Sequence, residues 1–81
     1  MNIERSAMRG QIAVKEHRLG EIKLESSALV LSIRQKLAPY VDVDQLEMDA
    51  IKIMTDRLRE LHLESKLIIS ELSKLEEALN G

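Results

Sequence analysis

The sequence predicts an all-α protein: an antiparallel two-helix hairpin, coiled-coil-like, that associates into a four-helix bundle. Three observations carry that prediction. A single segment of strong turn chemistry, Ala38-Pro39-Tyr40-Val41-Asp42, divides the 81 residues near their midpoint. Apolar residues recur at helical steps of three and four on both sides of it. Leu, Ile and Ala dominate an apolar fraction of 44%, and Tyr40 is the only aromatic residue, a composition that suits helices packed along seams better than a ligand pocket or a base-stacking platform.

The first helix is expected over about residues 3–38, with Asn2 as its N-cap and Pro39 disfavouring helical geometry at Ala38. The turn occupies 39–42. A second helix over about 43–79 has a start signal of Asp42 as N-cap, Gln45 as its capping-box partner and Val41 stapled onto Leu46. Asn80-Gly81 supply its stop. Such helices are about 36 residues and ~54 Å long, and a short link between them makes one antiparallel hairpin domain.

The second helix carries a heptad through Ile51, Met54, Leu58, Leu61, Ser65, Ile68, Leu72, Leu75 and Leu79, a pattern specific to helix–helix seams. The first answers with Met8, Ile12, Lys15, Leu19, Ile22, Ser26, Leu29 or Val30, Ile33 and Leu37. Folding at Pro39 sets opposite one another residues whose numbers sum to about 83. Each seam serine then faces a leucine, its hydroxyl free to bond back to its own helix carbonyls. Charge agrees: residues 1–40 hold seven Lys/Arg against four Glu and residues 41–81 five against ten Asp/Glu, so the halves attract.

A second stripe, Gly10, Ala13, His17, Gly20, Leu24, Ala28 and Leu31, falls roughly opposite the first helix's seam. Interior glycines cost about 1 kcal/mol each relative to alanine, so two of them ask for a reason. Close approach of another helix backbone supplies one, and this stripe is the expected self-association surface of a homodimer or tetramer; a break of the first helix near Gly20 is the competing account. Leu46, Ile53, Leu63 and Leu67 form an alternative flank for a partner helix.

Chemistry is not expected. His17 and His62 point apart and lack ligand spacing. The pairs Glu21/Glu25 and Glu60/Glu64 have no Glu-x-x-His to complete a carboxylate metal site, and solvated charge is the expectation for them. No phosphate loop or nucleophile motif occurs, so neither catalysis nor a cofactor is predicted. Lys52 with Asp56 and Glu71 with Lys74 are expected as surface pairs. Arg5, Arg9, Lys23 and Arg34 share one azimuth and keep a nucleic-acid-associated regulator as a minor alternative. Met1-Asn2-Ile3-Glu4-Arg5-Ser6 has no apolar signal region, no stretch suits a membrane span, and the lack of cysteine fits a cytoplasmic location.

The expected function is therefore a non-catalytic small interaction or assembly protein, with a chaperone or adaptor binding a partner helix as the alternative. In size and outline the hairpin resembles the co-chaperones and needle subunits of bacterial type III secretion, and small helical proteins of phages. The turn Pro39-Tyr40-Val41-Asp42 lacks the two-proline pattern of needle subunits, and the resemblance assigns no residue a role.

Overall fold

A computed structural model describes residues 3–81. Asn2, expected to cap the first helix, lies outside the described residues. Two helices, α1 (Ile3–Lys36) and α2 (Met48–Asn80), pack against each other as an antiparallel hairpin, and a single 3-10 turn at Val43–Gln45 interrupts the connection. The molecule is a rod of 64 × 17 × 15 Å.

Helix α1 runs unbroken through Gly10 and Gly20, which excludes the break considered for Gly20. Its end follows from Pro39. The Leu37 N–H still donates to the Ile33 carbonyl at 2.9 Å, but Ala38 is barred from helical geometry by the proline ring. Glu4 in the first turn and Arg34 and Lys36 in the last complement the helix dipole.

Helix α2 starts later than the capping signature implies. Asp42 caps the 3-10 turn rather than α2; its carbonyl accepts from the Gln45 N–H at 2.9 Å, and its side chain makes no capping bond. Leu46 then takes an extended conformation (φ −67°, ψ 132°) and is half-buried in the connection. Glu47 becomes the N-cap residue, its carbonyl accepting from the Ile51 N–H. The reason for the shift is geometric. Lys36, the last residue of α1, and Glu47, the N-cap of α2, stand opposite one another and pair at 2.8 Å, so the chain between them must cross from one helix axis to the other. A four-residue turn at 39–42 is replaced by a link that spends Val43–Gln45 on a turn of its own. Asp42→Ala is accordingly expected to change stability by less than about 0.5 kcal/mol, as a surface position does, rather than by the larger cost of a lost cap. Chemical denaturation reads the difference, and a loss above about 1 kcal/mol would restore Asp42 as a true helix cap.

The seam is where the heptads put it. Ile51, Leu61, Ile68 and Leu72 of α2 and Ile22 and Ile33 of α1 are buried, with Leu61 fully enclosed at 0% exposure. The other α2 heptad positions are all half-buried. On α1, Leu29 rather than Val30 takes the seam position, and Leu37 is exposed beyond the helix end. Ile12, Leu19 and Leu29 pack against the central cluster of Ile22, Leu61, Ile68 and Leu72. The Ser65 hydroxyl donates to the His62 carbonyl at 2.8 Å, so this half-buried polar residue is satisfied within its own helix.

At the far end, the Gly81 N–H donates to the Glu77 carbonyl and closes α2. The Arg5 guanidinium reaches across from α1 to the Leu79 carbonyl. It places positive charge at a helix C-terminus whose own last turn carries no basic residue.

Candidate interaction surfaces

Two arrangements of side chains stand out: a charged clasp across the middle of the seam, and apolar residues left facing outward.

The clasp joins the helices at two points. Arg18 donates from Nε and Nη2 to both carboxylate oxygens of Glu64, at 2.6 and 2.8 Å. Arg57 does the same to Glu25, at 2.7 and 3.0 Å. Each guanidinium also turns Nη1 toward a carboxylate of its own helix, Arg18 toward Glu21 and Arg57 toward Glu60. Bidentate Arg–carboxylate pairs are directional as well as attractive, so they fix register. Hydrogen bonding to the guanidinium groups holds the Glu25 and Glu64 carboxyls below the ordinary carboxylate range and raises both arginines. Lys15 adds a third cross-helix contact to Glu71 at 3.3 Å.

These contacts correct two expectations. Glu25 and Glu64 are not simply solvated: each lies half-buried against the opposite helix. Glu71 pairs with Lys15 rather than Lys74, whereas Lys52 and Asp56 do pair, at 2.8 Å. Helix-surface spacing identifies partners on one helix only, and the cross-helix partners follow from register instead. Both bidentate pairs have numbers summing to 82, close to the 83 that the fold about Pro39 implies.

The outward faces are apolar in places. Every residue of the stripe Gly10, Ala13, His17, Gly20, Leu24, Ala28 and Leu31 is exposed, Leu24 at 76%. A β-carbon built on Gly10 or Gly20 would meet nothing within 4 Å. No contact within the chain therefore requires either glycine. Of the alternative flank, Ile53, Leu63 and Leu67 are exposed on α2, Ile53 at 70%. Leu46 does not join them, because it sits in the connection and is half-buried.

His17 and His62 are exposed, and among the described residues no three His, Asp or Glu side chains gather as a metal set. Of the basic azimuth, Arg5 is turned to the end of α2. No helix among the described residues is long and apolar enough to cross a membrane. No protein-family model, curated protein or solved structure matches the chain.

Proposed function

We propose that this chain is a non-catalytic assembly protein that self-associates through the outer stripe of α1 into a coiled-coil-like four-helix bundle. The observation that carries the reading is the pair of glycines. Each lies within α1 in open space, at a cost of about 1 kcal/mol to the isolated hairpin, and Gly20 is followed on the same face by the exposed Leu24 and Leu31. A helix backbone drawn close to Gly10 and Gly20 would use both features, burying Leu24 and Leu31 while exploiting the missing side chains.

The stripe is centred near Gly20, so a two-fold axis there lets two copies of α1 meet antiparallel in an isologous contact. Leu24 then packs near His17 of the other copy, and Leu31 near Gly10. The exposed flank of Ile53, Leu63 and Leu67 supports a second use, as a seat for a partner helix of chaperone or adaptor type. A cytoplasmic setting belongs to this reading through the cysteine-free composition.

Gly20→Leu tests the proposal because its two consequences oppose each other. Leucine improves helix propensity by roughly 0.8–1 kcal/mol, yet a bulky side chain overpacks a close helix contact. Sedimentation equilibrium is expected to show the variant shifted toward monomer. An unchanged mass together with a higher melting temperature would mean that Gly20 faces solvent in the assembled protein, and the proposed interface would be withdrawn.

A further inference from the structure

The two bidentate bridges are one contact made twice. Residues 18–30 read Arg-Leu-Gly-Glu-Ile-Lys-Leu-Glu-Ser-Ser-Ala-Leu-Val, and residues 57–69 read Arg-Leu-Arg-Glu-Leu-His-Leu-Glu-Ser-Lys-Leu-Ile-Ile. At this offset of 39, Arg18 matches Arg57, Glu21 matches Glu60, Glu25 matches Glu64 and Ser26 matches Ser65. A shared heptad explains matching apolar positions but not four matching polar ones. The structure uses the repeat symmetrically. The same guanidinium nitrogens, Nε and Nη2, grip the equivalent carboxylate in both bridges, and Nη1 turns to the equivalent glutamate three residues on. Ile22 and Leu61, equivalent residues, are both buried between the two bridges, at 4% and 0% exposure. The hairpin thus has a pseudo-two-fold axis normal to the plane of its helices and passing through its centre.

A symmetric seam does not distinguish its two sides. If α1 lies antiparallel to a second α1, Arg18 again meets Glu25 and Glu25 again meets Arg18, with Ile22 at the centre. The same holds for α2 against α2 through Arg57 and Glu64. We infer that the central seam is a recognition surface for a helix of its own kind: a second copy of this chain pairs α1 with α1 and α2 with α2 through the same two bridges, as an alternative to the closed hairpin. The covalent connection permits it. Antiparallel α1 helices put the two connections at opposite ends, and each α2 returns beside its own α1 to meet the other copy's α2. Connection within one chain raises the effective concentration of α1 near α2 and favours the hairpin when the protein is dilute; the like-with-like dimer competes as concentration rises. This exchange uses the seam and does not rest on the outer stripe.

Charge exchange on one helix separates the pairings. In Arg18→Glu/Glu25→Arg, the hairpin would set Glu against Glu64 and Arg against Arg57, while both like-with-like pairs keep opposite charges in contact. Reversing both helices, Arg18→Glu/Glu25→Arg/Arg57→Glu/Glu64→Arg, restores the hairpin bridges. The natural chain has no cysteine, so Ile22→Cys in each background reports who faces Ile22: Leu61 of the same chain in the hairpin, or the second copy's residue 22 in the α1 pair. On mild oxidation, the one-helix exchange is expected to become mainly a disulfide-linked species of twice the 9.2 kDa chain mass, with helical circular dichroism retained. The parent and the four-fold reversal should stay largely unlinked at the same dilute concentration. A one-helix exchange that stays unlinked, folded or unfolded, overturns the proposal, as does a four-fold reversal that links equally or loses its helix. Loss of the outer-stripe contact in Gly20→Leu would leave these outcomes unchanged, so the two readings fail separately.

Discussion

Leu61→Ala is expected to remove most of the hairpin's net stability. Leu61 is enclosed at 0% exposure, and truncating a fully buried leucine costs about 2–5 kcal/mol through lost transfer energy and the cavity left behind. A single core in a chain of this length rarely supplies more than roughly 3–5 kcal/mol. The helices depend on each other for stability in water, so the variant should lose much of its helical signal at 25 °C rather than merely melt earlier. Leu63→Ala is the matched control. Leu63 is two residues away but exposed, and its truncation should stay within about 0.5 kcal/mol in the hairpin. Equal losses at the two positions would show that the α2 seam is misplaced. A double-mutant cycle with Ile22→Ala sharpens the test, since residues packed in one cluster couple by about 0.5–3 kcal/mol while distant ones add.

That contrast between Leu61 and Leu63 was legible in the sequence because a heptad states which face is buried before any partner is known. Every α2 heptad position from Ile51 to Leu79 is buried or half-buried. On α1 the pattern was looser: Leu29 and Val30 both fitted, and the structure buries Leu29 further. The start of α2 departs from the sequence expectation for a different reason. Asp42 and Gln45 stand in capping-box spacing, but the chain there forms only a 3-10 turn, held by the backbone bond from the Gln45 N–H to the Asp42 carbonyl with no side-chain cap. What moves α2 to Met48 is the crossing from Lys36 to Glu47, a tertiary demand that no local motif records.

The clasp was legible in the register rather than in the spacing along either helix. Register near 83 already brought Arg18 to Glu64 and Glu25 to Arg57, but spacing arguments along one helix find only neighbours at three and four residues. The signal that reaches it is the repeat between residues 18–30 and 57–69, which survives in the polar positions where periodicity is silent. The outer stripe is the reverse case. Sequence placed it roughly opposite the seam, and the structure shows its residues exposed; the mass of Gly20→Leu tests the partner proposed for it.

Acid should open the hairpin through the clasp. Hydrogen bonds from Arg57 and Arg18 hold the Glu25 and Glu64 carboxyls below the usual range, so both bind protons more readily in the unfolded chain, where glutamate titrates near about 4.3. A depressed folded pKa contributes stability that is complete above the unfolded pKa and is lost as pH falls through the folded one. The expected melting temperature is therefore level from about pH 7 to pH 5 and declines below about pH 4. Both carboxyls are lowered first by a hydrogen bond from a guanidinium across the seam, so protonating either one weakens a bridge between the helices. Partial solvent exposure weakens each bridge, but the symmetric pair acts on a hairpin of small total stability. Arg18→Gln/Arg57→Gln removes the cause of both shifts. It should start with a lower melting temperature at pH 7 and lose less of it between pH 5 and pH 3 than the parent does. Parallel melting curves for the two proteins across that range would show that other carboxylates govern acid unfolding and that the clasp contributes register without measurable stability.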